Sequence, residues 1–474
     1  MLLSLRRDLY KATRDIFLKI TCTTGGNQSM EKKFKPGDRI DCKGSPIKVV
    51  KWLAEGGQGD VYVVEQLGQQ KALKWYKPNG MGKNPKAFYE NLKHNYIKQS
   101  PDKNVFLWPE DITEWVDGSF GYVMPLRPSG YYEVGDFLLT KVRFKSMKTI
   151  IDAALNIVSA YRILHNNGYC YQDLNDGNFF INPDTGRVLI CDNDNVAPDG
   201  THTGIIGKPG YIAPEIILGQ KEEDRAKRKM PDTYSDRFSM SIIIFMLFCL
   251  TRPLEGKRTL GDTPRTERLM EQVYGSDPHF IMEDINHPKY GPDNVAQKNV
   301  FRLWDALPTY MKDFFLNAFS QKAIKNPGAR PTELSWLQVL VRFRSEIIRC
   351  QCGVEILTEN GESTVCSKCK RQIHIPYRLS FTGCNYKIPG MPDSRIYRCQ
   401  LGPCNANEAL TPVGRVLANK SNPNQLGIRN LTQKYWNAET PSGKDRKVAP
   451  QEIVPLKNGI KLWIESETIT IEDN

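Results

Sequence analysis

Three short runs near the start are predominantly apolar: Val49-Val50-Lys51-Trp52-Leu53, Val61-Tyr62-Val63-Val64 and Ala72-Leu73-Lys74-Trp75. Runs this rich in β-branched and aromatic residues predict strands, and the glycines between the first two predict a turn. Phe88 to Ile97 predicts a helix, and Phe120-Gly121-Tyr122-Val123-Met124 a further strand that Pro125 ends. After Ser146 the period changes. Met147 to Asn166 carries apolar residues at helical spacing, and helices dominate through Trp304 and Phe314 to about Ile348. From Cys350 onward cysteines, glycines and short strand signals take over. A β-rich part followed by a helical part predicts an α+β, two-lobed architecture with a smaller β-rich unit behind it.

Composition narrows this only a little. With 474 residues the chain can form two or three domains, and 40% hydrophobic with 25% charged residues is the profile of a globular protein. The formal net charge of +12 would suit an acidic partner. Its basic residues are spread along the chain without an arginine-rich block, however, so a solvated surface is the expectation and nucleic acid is not expected as a partner. The longest apolar run, Ile242 to Leu250, is too short to span a bilayer and reads as a buried helix. Arg6, Arg7, Asp8, Lys11, Arg14 and Asp15 interrupt the stretch Met1 to Ile20, which therefore lacks the apolar core of a signal peptide. It is either an amphipathic helix or sequence upstream of a start at Met30. A soluble, cytoplasmic protein is expected, with no membrane contact.

The most informative stretch is Tyr171-Gln172-Asp173-Leu174-Asn175-Asp176-Gly177-Asn178, followed across a predicted hairpin by Asp192. An Asp, an Asn five residues on and a second Asp beyond a tight turn bring two carboxylates and an amide to one cleft. Phosphoryl transfer needs such a set: one carboxylate orients the attacking hydroxyl, while the amide and second carboxylate hold Mg²⁺ on ATP.

Here the chain resembles the bacterial eukaryotic-like serine/threonine protein kinases, whose catalytic loop reads H-R-D-L-x-x-x-N. Leu164-His165-Asn166-Asn167-Gly168-Tyr169 matches the family's L-H-x-x-G-x, and Leu53 to Val61 its glycine-rich loop, with Gly56, Gly57 and Gly59 at the phosphates. Lys74 in Lys71-Ala72-Leu73-Lys74 stands at the strand lysine. Gly207 to Glu215 looks like the A-P-E segment, Asp236 like the helix aspartate that braces the catalytic loop, and Arg330 like the arginine that pairs with Glu215. The resemblance covers about residues 47–345. It implies a bilobal kinase fold with ATP and Mg²⁺ as cofactors. Asp173 orients the hydroxyl, Asn178 and Asp192 hold Mg²⁺, and Lys74 contacts the phosphates and pairs with Glu90 on the following helix. Val61 and Ala72 cover the adenine, Met124 is the gatekeeper, and the hinge is Pro125-Leu126-Arg127.

Several family positions differ. Tyr171-Gln172 replaces His-Arg ahead of the catalytic aspartate, which removes the expected pocket for an activation-loop phosphate. Asn175 replaces a lysine that contacts the γ-phosphate, and Asp192-Asn193-Asp194 replaces D-F-G. Asp194 is either an extra metal ligand or a residue facing water. The alternative to an active kinase is a pseudokinase scaffold that binds nucleotide and recruits partners through its C-terminal region. The details also look like kinases of bacterial stress systems associated with tellurite resistance. That likeness implies a protein phosphatase and a von Willebrand factor A-like protein as partners, and leaves the protein substrate unknown.

Cys350, Cys352, Cys366 and Cys369 form two close pairs separated by thirteen residues. Four thiolates so spaced suit structural, tetrahedral Zn²⁺, each pair on a tight knuckle, as in a zinc ribbon. Cys384, Cys399 and Cys404 are spaced irregularly and read as core thiols. The short strand signals from Leu426 to Ile464 are faintly similar to the later half of forkhead-associated sandwiches, without a complete phosphate-reading set. The expected organisation is an N-terminal extension (1–45), a kinase domain (46–347), a zinc ribbon (348–378) and a β-rich C-terminal domain (379–474).

Overall fold

The computed structural model describes residues 33–81, 84–201, 206–260 and 264–474. The stretch Met1 to Ile20 and the start at Met30 lie outside them. The first lobe is one antiparallel sheet of β1 (Arg39–Ile40), β2 (Ile47–Glu55), β3 (Gly59–Gln66), β4 (Gln69–Tyr76), β5 (Asp111–Ile112) and β6 (Gly121–Pro125), ordered β1-β2-β3-β4-β6-β5. Strand periodicity sorts the side chains onto two faces. Tyr62, Val64, Leu73, Trp75 and Val123 bury the outer face, where Phe34 packs edge-on against Tyr62 and Trp75. The sequence sets residues 1–45 apart as an N-terminal extension, of which the structure describes residues 33–45. Phe34 and β1 instead belong to this sheet and its outer core, because the outer face would otherwise leave two large aromatic rings in water.

The inner face presents Ala72, Lys74, Tyr76, Tyr122 and Met124 toward the cleft. Helix α1 (Pro85–Lys98) closes one end of that face through Phe88 and Leu92. Its start is fixed by Pro85 in the first turn and by the Asn84 side chain accepting the Ala87 N–H.

The second lobe is helical. Helix α2 (Met147–Asn166) begins in a reciprocal capping box of Ser146 and Thr149. Three short antiparallel pairings join strands on either side of it in the chain. The strands are β7 (Tyr132–Glu133), β8 (Tyr169–Cys170), β9 (Phe179–Ile181), β10 (Val188–Ile190) and β11 (Ala197–Pro198); β9 pairs with β7 and β10, and β8 with β11. Beyond α3 (Pro214–Gly219), helix α4 (Thr233–Cys249) opens on a capping box of Asp232 and Ser235 and is buried on all sides from Phe238 to Cys249. It contains most of the apolar run Ile242 to Leu250, and each large side chain it buries contributes about 1.5–3 kcal/mol. Among the described residues no helix is long and apolar enough to cross a membrane.

Helix α5 (Glu333–Glu346) leads into two small hairpins. They are β12 (Ile347–Arg349) with β13 (Glu355–Leu357), and β14 (Thr364–Val365) with β15 (Gln372–Ile373). From Tyr377 to Asp473 a six-stranded and a four-stranded sheet enclose their own core around Phe381, Trp436, Leu462 and Ile469. This sandwich is anchored on the helical lobe. Tyr397, Cys399 and Ala409 enter that lobe's core, Gln338 donates to the Cys399 carbonyl at 2.9 Å, and Arg162 donates to the Cys404 carbonyl.

Candidate active site

The loop between β8 and β9 is held from below by charge. His165, at the end of α2, contacts Glu333 through Nδ1 at 2.9 Å and Asp236 through Nε2 at 3.0 Å. Asp236 Oδ2 also accepts the Tyr171 backbone N–H at 2.7 Å, so the helix aspartate ties down the start of the loop. Tyr171 is fully buried, and its hydroxyl donates to the Cys191 carbonyl, tying the loop to the end of β10. Gln172 adopts a left-handed φ of 60° and donates to the Thr201 carbonyl at 2.9 Å. An uncharged amide thus anchors the segment that follows β11, where the family's arginine was missing.

This bracing presents Asp173. Its Oδ1 is sealed from solvent and has no hydrogen-bond partner in the protein. A buried acceptor left open in this way is costly unless a ligand group completes it. Burial first, and then the charge of Asp192, push the Asp173 carboxyl up to about 6. Asn178 donates its amide N–H to the Asp173 backbone carbonyl at 2.8 Å, which leaves the amide oxygen for a metal. Asn175 turns inward on the loop itself, donating to that same carbonyl at 3.1 Å and accepting from Gly177 at 3.0 Å.

Lys74 reaches the other side of the cleft from β4. Its Nζ donates to Gln58 Oε1 at 2.9 Å, Asp194 Oδ2 at 3.0 Å and Asp192 Oδ1 at 3.1 Å. Burial alone would lower this ammonium, but Asp192 and Asp194 hold it above its ordinary value. Glu90 takes no part. It lies on the outer side of α1, 56% exposed and 3.6 Å from Lys93, so its assignment as partner of Lys74 is corrected. Phe88, Leu92 and Asn95 define the inward stripe of α1. Position 90 is about 200° around the helix from position 88, on the solvent side. Asp194 likewise does not face water: it is completely buried, accepting from Lys74, Tyr76 and Tyr122.

The adenine end is apolar. Ala72 and Met124 are buried in one cluster with Leu189 and Cys191, against which Val61, Leu126 and Phe180 pack. The Arg127 guanidinium carbon lies over the Phe180 ring, 4.0 Å from its centroid. Phe180 was not singled out from sequence, although its place in the Phe179-Phe180-Ile181 strand beside Asn178 carried the signal. At the phosphate end the loop closes with Gly56 N–H on the Gly59 carbonyl at 2.8 Å. A Cβ on Gly59 would sit 2.2 Å from the Trp75 carbonyl oxygen, so the close approach of β3 to β4 requires glycine there. Gly57 has open space around it. Farther off, Arg330 clasps Glu215 with bonds of 2.8 and 2.7 Å and also donates to the Ala323 and Tyr234 carbonyls.

The cysteine pairs meet. Cys350, Cys352, Cys366 and Cys369 bring their sulfurs within 4.8 Å of one another, the one such cluster of potential metal ligands among the described residues. The Cys350–Cys369 and Cys352–Cys366 separations are both 3.6 Å. Sulfurs about 2.3 Å from a tetrahedral Zn²⁺ would stand about 3.8 Å apart. Each pair rides a tight turn: Gly353 N–H bonds the Cys350 carbonyl and Lys370 N–H the Cys366 carbonyl, with Gly353 and Lys370 both at positive φ. The donor set and its spacing fit a closed zinc site. Cys384 lies apart, against the Gln400 carbonyl and Glu467.

Known proteins share the central part of this arrangement. Residues 122–331 match the family model described as protein kinase domain. The chain is similar to Protein kinase YegI of Escherichia coli K12, 22% identical over 322 residues, covering 63% of this chain and 45% of that protein. It is also similar to CDPK-related kinase 5 of Arabidopsis thaliana, 25% identical over 197 residues, covering 40% of this chain and 27% of that protein. The chain therefore spans less than half the length of these curated relatives. The crystal structure of the Mycobacterium tuberculosis PknI kinase domain aligns with a TM-score of 0.42 and 16% identity, over 65% of this chain and 98% of that one. On the family match and the architecture above, the chain carries a protein kinase fold with a β-sheet N-lobe and a helical C-lobe.

Proposed function

We propose that this chain is an active protein kinase that transfers the γ-phosphate of MgATP to serine or threonine hydroxyls of a partner protein or of itself, in bacterial signalling or stress response. The observation that carries this reading is Asp173: a half-buried carboxylate with one sealed, unsatisfied oxygen, facing the same cleft as Lys74, Asn178 and Asp192. When bound, Mg²⁺ supplies charge neutralisation across the phosphates. Asn178 and Asp192 would hold it, and Lys74 would bind phosphate oxygens from the sheet side. Val61, Ala72, Met124, Leu126 and Phe180 would enclose the adenine. The Asp173 carboxylate accepts the hydrogen bond of the acceptor hydroxyl and aims it, and takes its proton as the oxygen–phosphorus bond forms and the bond from the γ-phosphorus to the departing ADP breaks.

The four cysteines are proposed to hold structural zinc, making residues 348–378 a zinc ribbon between the kinase domain and the C-terminal sandwich. A cytoplasmic location, kinship with tellurite-resistance-associated kinases, and partnership with a protein phosphatase and a von Willebrand factor A-like protein belong to the same proposal and rest on the sequence resemblance alone. A nucleotide-binding pseudokinase scaffold is the second reading. It is favoured by Lys74 already holding three side-chain acceptors, with Gln58 reaching down from the loop tip.

Incubating the purified chain with Mg²⁺ and γ-labelled ATP, with and without a generic protein acceptor, separates the two. Label on the chain or acceptor that disappears in Asp173→Ala supports the kinase. Intact nucleotide binding with no transfer, even with candidate partners added, supports the scaffold.

A further inference from the structure

We infer that Asp194 is the positioning residue for Lys74, so that the lysine is aimed from within the sheet and the turn after β10, without a charged group from α1. This inference rests on the kinase reading.

Three observations carry it. First, Asp194 is wholly buried and fully engaged. One oxygen accepts from Lys74 at 3.0 Å and from Tyr76, and the other accepts from Tyr122 at 3.1 Å. Tyr76 and Tyr122 project from adjacent strands of the same sheet face as Lys74, so two rigid hydroxyls fix the carboxylate that fixes the ammonium. A buried carboxylate held by one cation and two hydroxyls is satisfied, whereas the same group left unpaired would be strongly destabilising.

Second, α1 contributes only amides to this region. Asn91 and Asn95 donate to the Val196 carbonyl at 2.9 and 2.6 Å, and Asn95 accepts the Trp108 indole N–H on its own carbonyl at 2.9 Å. The helix therefore grips the backbone just beyond Asp194 and leaves the lysine alone. Its one candidate carboxylate, Glu90, points to solvent.

Third, the two acidic partners of Lys74 are unequal. The Asp192 side chain is 32% exposed, whereas that of Asp194 is 0% exposed. Asp192 can therefore turn toward a metal at the cleft, and Asp194 keeps Lys74 extended when it does. Placing two aspartates around one lysine, one for the metal and one for the lysine, is the arrangement that Asp192-Asn193-Asp194 supplies.

The test uses the full chain with Asp194→Asn, which keeps the size of the side chain and an oxygen for one of the two tyrosines, beside Glu90→Gln. Thermal unfolding, MgADP affinity by calorimetry, and kcat and KM for ATP are measured on each. For D194N the expectation is a loss of about 100-fold in kcat/KM with a rise of about tenfold in KM for ATP, at an unfolding midpoint close to that of the parent. E90Q should keep kcat/KM within about twofold. Parental kcat/KM in D194N would overturn the proposal and leave the kinase reading intact, as would a D194N deficit that merely equals its unfolded fraction. A loss of tenfold or so in E90Q would also overturn it, and decides the matter even where D194N fails to fold. A parent chain that neither binds MgADP nor transfers phosphate removes the kinase reading and this proposal together.

Discussion

His165 Nε2 lies 3.0 Å from Asp236 Oδ2, the same oxygen that accepts the Tyr171 backbone N–H at 2.7 Å. The imidazole is thereby a beam between helix α4 and the loop that presents Asp173. Its Nδ1 rests on Glu333, which Arg237 clasps in turn at 2.7 and 3.1 Å. With the ring protonated, two cations and two carboxylates balance beneath the site.

That balance makes stability depend on pH. Burial works to lower the His165 pKa, but the bonds from Asp236 and Glu333 raise it from 6.5 to about 9. A raised histidine contributes stability that is fully present below about pH 6.5 and is lost as pH rises through about 9, here about 3 kcal/mol. Glu333 is shifted the other way, to about 2, so its share is present above pH 4.5 and lost as pH falls through about 2. Urea midpoints should fall between about pH 6.5 and 9.5, and His165→Asn should be less stable and flatter across that window. A parent curve no steeper than that of the variant contradicts the assignment.

The raised Asp173 carboxyl gives a kinetic counterpart. On the proposed kinase reading the group must be ionised to accept the hydroxyl, and burial with the charge of Asp192 places its titration at about 6. Below that pH, kcat/KM for the protein acceptor should fall by about tenfold per pH unit, measured with saturating Mg²⁺. Activity that stays level down to about pH 4.5 would show that another group does this work.

Arg330 and Glu215 join α3 to the turn before α5 through two parallel bonds, with Arg330 only 3% exposed. Removing one partner strands a buried charge. Arg330→Ala should destabilise the chain by about 3–5 kcal/mol, whereas replacing both residues with apolar ones should cost less than the single change. Thermal unfolding of the two single variants and the double variant checks this.

Much of the site was legible because its parts are contiguous. Asp173, Asn178 and Asp192 sit on one loop and hairpin, and the alternation of β3, β4 and β6 sets Val61, Ala72, Lys74 and Met124 on one face. The partner of Lys74 was not legible, because it depends on which of several carboxylates is buried. Only the phase of α1, with Phe88, Leu92 and Asn95 inward, argues against Glu90, and nothing local in Asp192-Asn193-Asp194 says that its last residue meets two tyrosines. Phe34 was missed for a similar reason: its partners, Tyr62 and Trp75, are distant in sequence.

The glycine loop separates a structural glycine from a free one. A Cβ at Gly59 would meet the Trp75 carbonyl at 2.2 Å, backbone against backbone, whereas nothing lies within 4 Å of one at Gly57. Gly59→Ala must therefore push β3 off β4, at a cost of about 2 kcal/mol or more, and Gly57→Ala should unfold like the parent. Equal midpoints for the two variants would mean that the hairpin yields without loss.

The cysteine cluster has its own signature, because it follows directly on α5. Glu346, the last residue of that helix, is fully buried. It accepts from the Tyr310 hydroxyl at 2.6 Å and from Arg342 at 3.0 Å, and its carbonyl receives the Thr358 N–H at 2.8 Å. The first hairpin, β12–β13, is thus stitched to the helical lobe by hydrogen bonds that need no metal, while the second, β14–β15, carries Cys366 and Cys369 at its turn. About one Zn²⁺ per chain is expected in metal analysis, and Cys366→Ser or Cys369→Ser should abolish it. Chelation should raise amide exchange across residues 362–374 first and leave β12–β13 largely protected. The sandwich, which has its own core around Trp436, should keep its unfolding midpoint. Metal-free protein with unchanged exchange at β14–β15 would show that the four thiols need no ion to stay together.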